Sequence, residues 1–156
     1  MGVGKGSFAR ELLKHCDRFA LDTDDLIESM ENRKIKQIFK DDGERYFRDL
    51  EKKCAKWLHK SVDDAIISTG GGFYAVDGLE KIGKVVYLEA DFDWIYERVV
   101  RAKNAKKKLK KRPLFNSYDK TKSLFLKRQK EYEKKADIAV DITSSDKSSI
   151  IKEILR

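Results

Sequence analysis

The chain has 156 residues, 40% of them hydrophobic and 40% charged, and 35 Lys and Arg against 27 Asp and Glu give a formal net charge of +8. That length suits a single domain with one core, and the charge predicts attraction to anionic ligands or polyanions without choosing between them. Cys16, Cys54, His15 and His59 are too few and wrongly spaced for a disulfide framework or a protein metal cage, no apolar run approaches the roughly 20 residues of a membrane span, and no basic-then-apolar leader is seen, so a soluble, reduced, cytoplasmic setting is expected.

The chain opens Met1-Gly2-Val3-Gly4-Lys5-Gly6-Ser7, which reads as the second half of a phosphate-binding loop of the pattern G-x-x-x-x-G-K-[ST]. Closely spaced glycines let backbone N–H groups curl round phosphate oxygens while the lysine reaches the β and γ phosphates. The following Phe8, Ala9, Leu12 and Leu13 recur at helical spacing, so the loop opens onto a helix N-terminus whose dipole favours an anion. The first glycine of the pattern, and the strand that feeds it, would lie ahead of Met1. The residue after the lysine is Gly6 rather than Ser or Thr, which leaves Ser7 as the nearest hydroxyl.

Phe19 to Leu21 is a short strand running into Asp22-Thr23-Asp24-Asp25, after which Leu26, Ile27 and Met30 predict a helix capped by Thr23 or Asp24. A long helix is predicted from about Glu44 to His59, with Phe47, Leu50, Cys54, Trp57 and Leu58 along one face and Arg48 and Glu51 three apart beside it. Ala65 to Ile67 is a second strand ending in Ser68-Thr69-Gly70-Gly71-Gly72, where consecutive glycines let a backbone approach a ligand. Val85 to Leu88 is a strand and Phe92 to Val100 a helix. A lysine-dense tract from Ala102 to Lys111 then leads to Arg112-Pro113-Leu114. A helix from about Asp119 to Lys135, a strand at 138–140 and a helix from about Ser148 to Leu155 close the chain. Strands alternating with helices predict an α/β fold with a parallel sheet and ligands at the carboxyl ends of its strands.

Gly4-Lys5, Asp22-Thr23-Asp24, Phe47-Arg48 with Glu51, the triple glycine 70–72, Arg112-Pro113-Leu114 and Arg128 with Tyr132 together resemble the shikimate kinase family over essentially the whole chain. The resemblance implies a P-loop kinase three-layer sandwich whose parallel sheet has the P-loop strand at its centre. That first strand is missing from the chain as given, so exposed strand edges and marginal stability are expected. It further implies one domain over 1–156, with substrate-binding helices at about 24–60 and a lid at about 102–116. The expected reaction is transfer of the ATP γ-phosphate to the 3-hydroxyl of shikimate in the aromatic amino-acid route, by a cytoplasmic monomer that uses Mg²⁺.

By the same resemblance, Lys5 and Arg112 stabilise the phosphates, Asp24 meets the attacking hydroxyl, and Gly2, Val3, Gly4, Gly6 and Ser7 complete the ATP loop. Arg48 and Arg128 bind the shikimate carboxylate and Gly70, Gly71 and Gly72 contribute backbone contacts, with Phe47 walling the pocket and Glu51 positioning Arg48. Asp22 and Ser7 hold the metal. Singly, each residue has a blander reading: a helix cap for Asp22 or Asp24, a solvated pair for Arg48 and Glu51, surface charge for Arg112 and Arg128, a flexible turn for the glycines. Their joint occurrence in order favours the kinase site. A gluconate or nucleoside monophosphate kinase is the nearest enzyme rival, since paired arginines also suit a phosphate. A nucleic-acid-binding protein would use 103–112, where seven of ten residues are basic, but no aromatic side chain interleaves that run for base stacking.

Overall fold

The computed structural model describes residues 2–101, 117–143 and 146–155. They form two compact units, residues 5–84 and residues 2–4 with the described residues from 85 onward. The Arg112 element and the 102–116 lid of the sequence reading lie outside the described residues.

The first unit begins with α1 (Lys5–Leu12), which buries Phe8, Ala9 and Leu12. Strand β1 (Phe19–Asp22) leads directly into α2 (Thr23–Glu31), and α3 (Ile35–Asp41) and α4 (Gly43–Ser61) follow before β2 (Ala65–Ser68). β1 and β2 pair in parallel from Phe19 opposite Ala65 to Asp22 opposite Ser68. Helix α1 packs on both strands, and α4 packs on α2 and α3. The parallel register sets the ends of β1 and β2 side by side, so the acidic turn and the glycine loop emerge together.

Three details differ from the pattern read in the sequence. Helix α2 is capped by Asp22, whose Oδ1 accepts the Asp24 N–H at 2.9 Å. The helix starts straight from the strand, and the Thr23 hydroxyl is used elsewhere. Helix α3 was not anticipated, although Ile35, Ile38 and Phe39 have helical spacing and Ile38 is fully buried. Trp57 is 45% exposed rather than part of the α4 core face. At about 100° per residue Phe47, Leu50, Cys54 and Leu58 share a stripe, and Trp57 falls beside it.

In the second unit β3 (Val86–Glu89) and β4 (Ile138–Asp141) also pair in parallel, with Val86 opposite Ile138 and Glu89 opposite Asp141. Helix α5 (Phe92–Val100) buries Phe92, Ile95 and Val99, α6 (Tyr118–Lys135) buries Thr121 and Phe125, and α7 (Lys147–Leu155) packs on β4 with Ile150 and Ile151 inside. Phe92, Tyr96, Tyr118 and Phe125 form an aromatic cluster with centroid separations of 5.0 to 5.7 Å. The four strands among the described residues are short and parallel within their pairs, as the alternation predicted. Among the described residues no helix is long and apolar enough to cross a membrane.

Candidate functional site

The centre of the first unit's site is the junction of two strand ends. Thr23, fully buried, accepts the Gly70 N–H on its Oγ1 at 2.9 Å, which ties the turn after β2 to the start of α2. Phe73, 1% exposed, donates its N–H to the Gly70 carbonyl and anchors the far side of the glycine turn. Gly70 then lies so close to Asp24 that a Cβ there would stand 2.6 Å from the Asp24 Oδ1 and 3.5 Å from Glu51 Oε1. The backbone approach that the triple glycine predicted is therefore an approach to two carboxylates.

Arg48 and Glu51 are indeed paired on α4, but not as a solvated pair. Glu51 is 2% exposed and its Oε2 accepts from Arg48 Nη1 at 2.6 Å. A buried carboxylate needs such a partner, because an isolated ion in that environment would be expensive. The Arg48 guanidinium also stands against Gly72, where a Cβ would lie 2.1 Å from Nη1, and 5.6 Å from the Phe47 ring centroid. Glu44, which the sequence reading passed over, takes the remaining edge of Arg48, with Oε1 accepting from Nη2 at 2.8 Å and from Nε at 3.2 Å. Its signal was the spacing of four residues on one helix.

Burial, followed by the charges of Asp22 and Glu51, pushes the Asp24 carboxyl up to about 6, and the Lys5 ammonium pulls in the opposite direction. A carboxyl tuned toward neutrality at a strand end is suited to exchanging a proton there. Burial also raises the Cys54 thiol to about 11, with Glu51 and Asp24 adding to it, so that thiol stays protonated and serves as packing. Asp22 uses Oδ1 on the α2 cap, while Oδ2 faces α1, 4.0 Å from the Cβ position of Gly6. Ser7 is exposed in the same first turn.

Gly71 lies in the same glycine turn of the first unit, and Gly2, Val3, Gly4 and Arg128 belong to the second unit. Gly2 and Gly4 take φ of 71° and 94°, left-handed conformations that favour glycine and give the loop its curl. Arg98 on α5 donates Nη1 to the Val3 carbonyl at 3.3 Å, and its guanidinium lies 5.0 Å from the Trp94 ring centroid. That places a cation against the loop, from a residue that no spacing rule links to Val3. Arg128 is part-buried on α6. Among the described residues no three His, Cys, Asp or Glu side chains cluster to hold a metal ion by themselves.

A family model described as shikimate kinase matches residues 1–156. The shikimate kinase of Helicobacter hepaticus is 33% identical, with 90% of this chain and 81% of that protein covered. That of a Sulfurihydrogenibium species is also 33% identical, over 99% of this chain and 91% of that protein. Among solved structures, shikimate kinase from Acinetobacter baumannii in complex with shikimate has a TM-score of 0.81 at 26% identity, covering 99% of this chain and 86% of that one. The enzyme of Aquifex aeolicus has a TM-score of 0.78 at 33% identity, covering 99% and 89%. The α/β fold expected from the alternation of strands and helices and the kinase architecture implied by the resemblance thus hold, and the chain belongs to the shikimate kinase family, whose ATP-dependent phosphorylation of shikimate it shares.

Proposed function

We propose that the transfer to the 3-hydroxyl of shikimate is carried by Asp24, Arg48, Arg128 and Lys5, with magnesium ATP as donor. The observation that carries this reading is the Asp24 carboxyl, raised to about 6 and standing against Gly70 beside the buried Glu51–Arg48 pair. Asp24 accepts a hydrogen bond from the attacking hydroxyl, and takes its proton as the oxygen bonds to the γ-phosphorus and ADP leaves. Lys5 holds the β and γ phosphates at the start of α1, and Gly2, Val3, Gly4, Gly6 and Ser7 line them with backbone N–H groups.

Shikimate is a carboxylate, and Arg48 with Arg128 supplies the planar, bidentate partners that carboxylates favour. Glu51 fixes Arg48 from the buried side, and Gly71 and Gly72 offer backbone contacts to the ring hydroxyls. The chemistry at Asp22 fits a magnesium ion, which is usually held by one or two carboxylates, phosphate oxygens and water. Bound there with ATP, magnesium would neutralise charge on the phosphates; Asp22 Oδ2 is the ligand or water-mediated contact, with Ser7 the nearest loop hydroxyl. Arg112 closes over the phosphates from a lid at 102–116, the helices at about 24–60 bind the substrate, and the enzyme is one monomeric cytoplasmic domain over 1–156.

The test is ATP turnover measured with and without shikimate, followed by competition from gluconate and from nucleoside monophosphates. Turnover that rises only with shikimate supports the reading. Turnover that rises equally with gluconate or a nucleoside monophosphate would move the substrate assignment to that rival.

A further inference from the structure

We propose that Glu44 is a placeholder for the substrate carboxylate: in the empty site it occupies the edge of Arg48 that the carboxylate later takes, and it thereby lowers affinity for the substrate. The inference rests on the reading that Arg48 binds the shikimate carboxylate.

Arg48 has two distinct edges. Nη1 donates to Glu51, which is 2% exposed, so giving up that contact would take a charged hydrogen bond from a buried carboxylate. Nε and Nη2 form the side-on edge, the pair of parallel donors that matches the two oxygens of a carboxylate. In the structure both point at a single atom, Glu44 Oε1, at 3.2 and 2.8 Å. Two donors sharing one oxygen make a poorer contact than two donors on two oxygens, so an incoming carboxylate gains geometry that Glu44 lacks.

Release of Glu44 costs little. Its side chain is 66% exposed and returns to water, and it stays in the first turn of α4, where a negative charge is favoured by the helix dipole. Substrate binding is therefore an exchange of carboxylates on one edge of one guanidinium.

Shikimate titrations by calorimetry on the wild type, Glu44→Ala, Glu44→Gln, Arg48→Ala and the Glu44→Ala/Arg48→Ala double variant test this, with affinity for an ATP analogue measured on each. Removing the competitor should tighten shikimate binding by about two- to fivefold in Glu44→Ala, the range expected for an exposed ion pair. Glu44→Gln, which keeps the shape and loses the charge, should tighten less, and the ATP analogue should bind as before. In the Arg48→Ala background the Glu44 substitution should have no effect. Unchanged or weaker shikimate binding in both Glu44 variants, or tightening that persists without Arg48, overturns the proposal. Wild-type shikimate affinity in Arg48→Ala would remove the underlying carboxylate reading, and the placeholder with it.

Discussion

The Oδ1 atom of Asp24 lies 2.6 Å from the point where a Cβ on Gly70 would stand, closer than any real side-chain carbon is tolerated. Gly70 is thus a condition for where Asp24 points. Gly70→Ala should push the carboxylate aside and lower turnover by roughly a hundredfold, since displacements of about 1 Å at a reacting group have effects of that size. Gly72→Ala acts on Arg48 Nη1, at 2.1 Å, and should instead raise the shikimate requirement. Steady-state kinetics on both variants checks the split. If both alter only the ATP requirement, the two contacts do not belong to the substrate site.

The raised Asp24 carboxyl has a sign that stability measurements can read. A carboxyl whose folded value, about 6, exceeds its ordinary 3.8 holds its proton more tightly in the folded chain. Ionising it therefore costs stability. The cost is absent well below pH 4, grows as pH rises between the two values, and is complete above about 6. A shift of that size corresponds to roughly 2 to 3 kcal/mol. Asp24→Asn should then be more stable than the wild type at pH 8 in denaturant unfolding, with the difference shrinking toward pH 4, while turnover is largely lost. Wild-type kcat/KM should fall as pH drops through about 6, where the proton acceptor becomes occupied. A stability difference independent of pH would show that burial does not hold Asp24 in this way.

Why some of this was legible in the sequence and some not can be seen at single residues. Asp22-Thr23-Asp24 and Gly70-Gly71-Gly72 each follow a short apolar run, and parallel pairing of those runs places their ends together without further information. Arg48 and Glu51 were findable because helical neighbours lie three or four apart, and Glu44 obeyed the same rule unnoticed. Glu51 being 2% exposed was not findable, because its burial depends on the turn after β2, far along the chain. Arg98 against Val3 is a contact over 95 positions, which no local period encodes. The Asp22 cap was missed for a different reason. Thr23 is an equally good cap by residue type, and only its hydrogen bond to the Gly70 N–H takes it out of contention.

Arg128 is part-buried on α6, and it is proposed to bind the shikimate carboxylate. Arg128→Ala should raise the shikimate KM by roughly ten- to a hundredfold, the equivalent of about 1.5 to 3 kcal/mol for a hydrogen bond to a charged group, and leave the ATP KM near the wild-type value. Arg128→Lys should recover only part of the loss, since an ammonium cannot match both carboxylate oxygens at once. Equal effects on both substrates would place Arg128 outside the carboxylate site.

Position 6 is where the loop pattern puts a hydroxyl and this chain puts glycine. Gly6 is within α1 and is not among the glycines with positive φ, so a side chain suits its backbone. There is also room, since a Cβ at that point would meet Arg10 Nη1 at 3.7 Å and Asp22 Oδ2 at 4.0 Å, both ordinary contact distances. A serine hydroxyl would then stand beside Asp22 Oδ2, the oxygen proposed to face the metal. Gly6→Ser should lower the magnesium concentration for half-maximal turnover by roughly three- to tenfold, in line with one added contact of about 1 kcal/mol. It should also strengthen ADP binding in calorimetry when magnesium is present and leave it nearly unchanged when magnesium is chelated. The melting temperature should rise slightly, because serine has a better helix propensity than glycine. If ADP binds more tightly to the same extent with and without magnesium, the hydroxyl acts on the loop or the phosphates and Asp22 does not mark the metal position. If neither value changes, the metal is held away from position 6 altogether.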